Sequence, residues 1–335
     1  MKVNIGIVGY GNLGKSLEKI IISNPKFKLV AIFSRRNVVS KFGTLVEPFD
    51  DFKKYVSKID VMLLAGGSKS DLEYQTPEIA KHFDVINTFD NHKKIDSELK
   101  KIDSLCKENG RRSIISCGWD PGIFSIVRAM FKAIGKNEPI TFWGKGISMG
   151  HSEALRGVEG VVDGVQFTVP NPEAKKLSKT GFIPKDIQVS KRECFVYSNE
   201  KDHKKIARKI KNIPDYFKGQ PVSVEFVSLE KISKLKRKMS HKGEISEVFE
   251  SPLGSKAEMK FSVKMHSNPD FTASIVVAYI NALLNLKEKG QIGAFTPLDI
   301  PIKYLFIGKS LESVYRDLCW AFIFLWLKCL FLIDL

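Results

Sequence analysis

Cysteine contributes no framework to this chain. Its five cysteines, at 106, 117, 194, 319 and 329, are widely spaced, odd in number and never paired as CxxC. That pattern excludes a zinc knuckle and a disulfide scaffold, and no metal ligand set is expected. No signal-peptide pattern precedes the first apolar segment, so a reducing cytoplasm is the expected compartment. Acidic residues are scarce beside basic ones, 37 against 53, a formal balance of +16. A recognition-helix pattern is also missing, and the lysines lie in dispersed clusters such as 201–211 and 231–238. Most of the excess therefore reads as solvated surface, with no nucleic-acid partner. Repeats and long apolar runs are absent until the last 17 residues, "CWAFIFLWLKCLFLIDL". A spanning helix needs about 20 apolar residues. A buried helix or a read-through product fits this stretch better than a membrane anchor.

What is present is an ordinary globular composition, 43% hydrophobic and 27% charged, on 335 residues. That is enough for two domains with cores of their own. Apolar strands are expected at 3–8, 27–33, 59–66, 83–89 and 112–117, several separated by helical patterns, which indicates a covered parallel sheet. After Cys117 the texture changes. "SEALRGVEGVVDGVQF" (152–167) has helical spacing at Leu155, Val158, Val162 and Val165. Alternating segments then follow at 192–198, 221–229 and 258–267, before a long helix over 271–290. The expected fold class is α/β, a Rossmann-like parallel sheet joined to an α+β domain with an antiparallel sheet. The expected boundaries are 1–118, 119–268, 269–318 for a segment returning to the first domain, and 319–335 for the apolar tail.

Gly9, Tyr10, Gly11, Asn12, Leu13 and Gly14 form a G-x-G-x-x-G turn between the first strand and the first helix, the context of a dinucleotide site. The glycines give a tight turn, an open approach for the pyrophosphate and close strand–helix packing, and the helix N-terminus offers free N–H groups. Where an NAD site commonly carries an acid, this chain has Ser34, Arg35 and Arg36. Forked guanidinium donors suit a 2′-phosphate, so the expected cofactor is NADP. Ser68 joins the cofactor set.

Asp90 and Asp120 each follow the carboxyl end of an expected strand, where open α/β sheets bind ligands. Together they suit a cationic group such as an amino acid's ammonium. Each alone also fits a structural cap.

The stretches "VGYGNLGKS", "FSRR", "FDNH", "GWDPG", "FWGKGISMGHSEALR", "RECFV", "NPDFTAS" and "GAFTPL" resemble, in order, those of the meso-diaminopimelate dehydrogenase family, over about residues 3–305. The resemblance implies NADP-dependent oxidative deamination of the D-centre of meso-2,6-diaminopimelate, releasing ammonia, or the reverse step toward lysine and peptidoglycan precursors. It implies a homodimer. It also implies that Asp90 and Asp120 hold the reacting amine between Trp119 and Trp143. Met149 and Gly150 would offer N–H groups to the nearer carboxylate. Arg192, Thr168 and His241 would grip the distal one, and Asn268 would fix the far end. From the residues alone, Arg192, Thr168, His241 and Asn268 read equally well as surface, strand, loop and cap residues.

Two features depart from the family. The segment 231–250 is an unusually basic loop by its pattern, and Lys242 stands where glycine is expected. The tail 319–335 has no family counterpart. Other readings are an enzyme like dihydrodipicolinate reductase or homoserine dehydrogenase, or a non-enzymatic NADP sensor. Removing residues 319–335 is expected to leave turnover intact in a steady-state assay; its loss would make the tail part of the fold.

Overall fold

The computed structural model describes residues 2–306, apart from 69, 70, 136, 238, 239, 251 and 252, together with 313 and 314; the tail 319–335 lies outside the described residues. The first part of the chain runs β1 (Val3–Val8), α1 (Asn12–Ile22), β2 (Phe27–Ser34), β3 (Val46–Pro48), β4 (Val61–Leu64), α2 (Leu72–Ala80), β5 (Asp84–Asn87), α3 (Ile95–Glu108) and β6 (Arg112–Ile114). Apolar stretches such as 29–33 and 61–64 run without alternation because both sheet faces are covered. Every residue of β4 and β5 is buried.

The second part holds α4 (Ile123–Ile134), β7 (Ile140–Trp143), β8 (Gly146–Ile147), α5 (Met149–Arg156), β9 (Asp163–Pro170), α6 (Pro172–Ser178) and β10 (Ser190–Tyr197). It continues through α7 (His203–Lys211), β11 (Val222–Phe226), α8 (Leu229–Lys236), β12 (His241–Glu250) and β13 (Lys256–Met265). The chain then returns through α9 (Asn268–Glu288) and β14 (Gly293–Phe295).

β14 completes a seven-stranded parallel sheet, ordered β14-β6-β5-β4-β1-β2-β3. α9 is long and apolar enough to cross a membrane. Instead it buries Val276, Ile280 and Leu283 in one core with Ile5, Leu17 and Ile86. Its first turn meets α1, where the Ser16 hydroxyl donates to Asp270 at 2.6 Å.

The second part corrects three expectations. The helix expected over 152–167 stops at Arg156, because Gly157 and Gly160 (φ +89°) end it. Residues 163–170 are instead a strand. The segment 231–250 forms α8 and β12, not a loop. Ser228 caps α8 by accepting from the Lys231 amide, which also ends β11 early. Among the described residues this part holds two sheets, not one: β13-β12-β7 is antiparallel, whereas β11-β10-β9-β8 contains a parallel β10–β11 pair.

Strand and helix pack closely at the first turn. A Cβ on Gly14 would stand 2.2 Å from the Gly9 carbonyl oxygen, an atom of the backbone that cannot yield. Alanine improves helix propensity by only about 0.5–1 kcal/mol, less than overpacking costs. Gly14→Ala is therefore expected to lose about 1–3 kcal/mol of stability in urea unfolding. A stabilised variant would contradict the packing.

Candidate active site

The dinucleotide turn has the expected shape. Gly9 adopts φ +92°, a left-handed conformation that favours glycine, with Ala65 backbone packed beside it. The space around the Gly11 Cα is open. α1 begins directly after it, so its first N–H groups face the opening. Tyr10 is the exception in this motif. Its side chain turns into the core, and its hydroxyl donates to Glu18. At the end of β2, Ser34 does not offer a free hydroxyl: it is bonded to the Arg36 backbone at 2.9 and 3.1 Å. Arg35 pairs with Asp71. Arg36 is exposed and has no side-chain partner among the described residues.

A cleft of about 550 Å3 opens between the carboxyl ends of the parallel sheet and the second part of the chain. Gly11, Asn12, Leu13 and Ser68 border it on one side, and Asp90, Asp120 and all eight expected substrate residues line the rest. The two carboxylates differ sharply. The Asp120 side chain is 1% exposed; Arg128 forks onto it at 2.6 and 3.1 Å, and the Trp143 indole N–H donates at 2.5 Å. Asp90 is exposed where it borders the cleft and has no ion-pair partner among the described residues. Desolvation raises its pKa above the ordinary carboxylate value, although a Ser68 hydrogen bond and His92 oppose the shift. The Ser68 hydroxyl also accepts from the Asp90 amide at 3.0 Å. Ser68, expected at the cofactor, therefore holds Asp90.

The opposite end is basic. Thr168 on β9 pairs with Arg192 on β10, and the guanidinium donates to the threonine hydroxyl at 2.7 Å. The Arg192 Nε is buried without a partner, and desolvation lowers the arginine's pKa. A buried cation with donors left over is a receptor for an anion. His241, read alternatively as a loop residue, is the buried first residue of β12, and its ring lies 5.0 Å from Trp119. The unexpected Lys242 points outward. The glycine lies one position on, at Gly243, where a Cβ would stand 2.8 Å from the Trp119 ring. Asn268 is not the cap of α9; Ser267 takes that part. Met149 and Gly150 open α5, whose cap residue Ser148 turns its hydroxyl toward His151 at 2.8 Å and leaves the first amides uncapped.

Residues 118–267 match the diaminopimelic acid dehydrogenase C-terminal domain family. Over 327 residues the chain is 42% identical to the meso-diaminopimelate D-dehydrogenase of Acetivibrio thermocellus, covering 95% of this chain and 98% of that one. This chain belongs to the meso-diaminopimelate dehydrogenase family. The enzyme of that name from Corynebacterium glutamicum is 36% identical over 94% of this chain and 99% of its own. Its solved structure as C. glutamicum DAP dehydrogenase in complex with DAP superposes with a TM-score of 0.88, at 36% identity over 94% and 99% of the two chains. An engineered D-amino acid dehydrogenase bound to NADP+ also gives 0.88, at 34% identity over 95% and 100%.

One residue that lines the cleft, His151, and one that stands behind it, Arg128, escaped the sequence reading. Arg128 lies two helical turns beyond Asp120 on α4, and an i, i+8 spacing across a Pro-Gly turn carries no local signal. His151 sits in "SMGHSEALR" but was given no role. Burial first, then the charge of Arg192, depresses its pKa to about 3, so it stays neutral. The Nδ1 of His241 lies 2.8 Å from the Lys242 carbonyl and so carries a proton. Its Nε2 can donate to a carboxylate only as imidazolium. Burial lowers the His241 pKa in the free protein, partly offset by the Lys242 carbonyl and Asp120. A carboxylate favours the charged form, so KM for a dicarboxylate is expected to rise with pH as His241 loses its proton. His241→Asn should flatten that rise, as read in KM–pH profiles; an unchanged slope would remove His241 from the carboxylate site.

Proposed function

We propose that this protein catalyses the NADP-dependent, reversible oxidative deamination of meso-2,6-diaminopimelate at its D-centre. The observation that carries this reading is one cleft with paired carboxylates, Asp90 and Asp120, at the sheet's edge and the Arg192–Thr168–His241 cluster across from them. A dicarboxylate with two ammonium groups is complementary to that arrangement. Full-length relatives at 36–42% identity support it over a cyclic-imine reductase, a homoserine dehydrogenase or a sensor without chemistry.

The residues present fit the cofactor. The open Gly11 backbone and the α1 N-terminus suit a pyrophosphate, and Arg36 suits a 2′-phosphate. Bound NADP would supply the acceptor for the hydride that leaves the D-carbon. The protein's own residues do the rest. Asp120, fixed by Arg128 and Trp143, orients the amine. Asp90, or a water it holds, takes a proton from the ammonium, since Asp120 is committed to Arg128 and Asp90 has no ion-pair partner among the described residues. The nitrogen lone pair then forms a C=N bond as the C–H bond breaks. Water adds to that iminium, ammonia leaves, and L-2-amino-6-oxopimelate remains, free to cyclise to tetrahydrodipicolinate. Trp119 and Trp143 wall the reacting centre. Met149 and Gly150 amides bind its carboxylate, Arg192, Thr168 and His241 bind the far one, and Asn268 fixes the far end. Holding the Cα–H in line supplies much of the acceleration.

The same reading includes a cytoplasmic homodimer with the cofactor domain over 1–118, the substrate domain over 119–268 and a returning C-terminal segment over 269–318. Met130 and Ile134, 52% and 57% exposed on α4, support a second copy on that face.

The test follows NADPH absorbance with the meso, LL and DD isomers. Turnover is expected only when a D-centre meets the nicotinamide end and an L-centre meets Arg192, so the LL isomer should fail. The oxidative kcat/KM should fall as pH drops through the raised Asp90 pKa, because a protonated carboxyl cannot accept. Asp90→Asn should cost roughly 100-fold or more in kcat. An Asp90→Asn enzyme with parental kcat would move the base elsewhere.

A further inference from the structure

The arginines expected to read a 2′-phosphate stand at the start of a surface excursion, residues 35–45, in which Arg36, Asn37, Val39, Lys41 and Phe42 are all exposed. Such a segment has little apolar burial to fix it. Its fixed points are polar. Glu18, on the buried side of α1, is 0% exposed. It accepts from the hydroxyls of Tyr10 and Ser40. The Tyr10 oxygen in turn accepts from the Lys41 amide at 2.7 Å. The Ser40 oxygen accepts from the amides of Phe42 at 3.1 Å and Thr44 at 2.9 Å. Beyond the excursion, the Leu45 carbonyl accepts from Ile32 at 2.9 Å and returns the chain to the sheet.

Glu18 has no cationic partner among the described residues. Burial alone would raise its pKa, but hydrogen bonds from Ser40, Thr44, Tyr10 and the Lys41 amide outweigh it and leave the carboxyl below its ordinary value. The group is therefore an ionised carboxylate held by hydroxyls and amides. A buried charge of this kind is retained only where its hydrogen bonds are all made. Both ends of the cofactor site meet on α1: its N-terminus faces the pyrophosphate turn, and one and a half turns later Glu18 grips the excursion.

We propose that Glu18, with Tyr10 and Ser40, is a positioning relay that sets the spacing between the pyrophosphate turn and Arg35–Arg36, and thereby the preference for a 2′-phosphorylated dinucleotide. The proposal rests on the NADP reading above. None of the three side chains need touch the 2′-phosphate. Ser40 and Glu18 act through the backbone of 40–44, and the charge that meets the phosphate belongs to the arginines.

The experiment uses the full-length enzyme and its Ser40→Ala, Ser40→Thr and Glu18→Gln variants, with KM and kcat for NADP and for NAD at saturating diaminopimelate, alongside thermal unfolding. Ser40→Ala lies on a half-buried surface segment and carries the test even if Glu18→Gln folds poorly. The expected result is a rise of about fivefold to tenfold in KM for NADP, the loss of one charge-assisted hydrogen bond. KM for NAD should stay within about twofold, kcat should not change, and Ser40→Thr, which keeps the hydroxyl, should recover the parent values. A merely structural role would move both cofactors together. Parallel shifts for NADP and NAD, or no shift in either, overturn the relay while leaving the cofactor reading intact. A parent enzyme with equal KM for the two cofactors overturns that reading, and the relay with it.

Discussion

Asp120 takes two bonds from the Arg128 fork and a third from the Trp143 indole, and is closed off from solvent. Those three residues come from the loop after β6, from α4 and from the end of β7. One carboxylate thus ties the carboxyl edge of the parallel sheet to two elements of the second part of the chain. Removing one partner of such a buried pair typically costs about 3–5 kcal/mol, because the other charge is left uncompensated. The neighbouring Trp119 packs edge-on against Phe124 of α4 at 5.1 Å and beside His241 of β12 at 5.0 Å. Elements from both parts of the chain thus meet around this one carboxylate.

With that charge committed to Arg128, the site divides its labour. Asp90 has no such partner and is placed by Ser68 from the neighbouring strand end. The two acids share a cleft but not an environment. One is paired with an arginine and closed in, and the other is exposed at the cleft without an ion-pair partner among the described residues.

Much of this was legible in the sequence, for particular reasons. The glycine turn could be read because its context, strand then helix, is local. Asp90 and Asp120 could be read because strand ends are marked by Gly, Asn and Pro. All the residues carried over by family resemblance do line one cleft. What could not be read was non-local. Arg128 and Glu18 look like ordinary helical charges until the fold buries them. The helix expected over 152–167 failed because Gly157 and Gly160 outweighed an apolar spacing that a strand satisfies equally well. Tyr10 and Ser34 were read as cofactor residues by position, but both side chains are engaged elsewhere: one with Glu18, the other with the Arg36 backbone.

The last strand of the parallel sheet has a further implication for how the molecule is made. β14 pairs with β6, Phe295 opposite Ile114, so the sheet's edge is closed by residues about 180 positions downstream. At translation rates of roughly 5–20 residues per second, β6 waits on the order of ten to forty seconds for its neighbour to be synthesised. Through that interval the nascent sheet presents an open hydrogen-bonding edge, and for most of it α9, which fills its core, has yet to be synthesised. The nucleotide-binding half is thus the first to be made and among the last to be finished, which ties its maturation to the complete polypeptide.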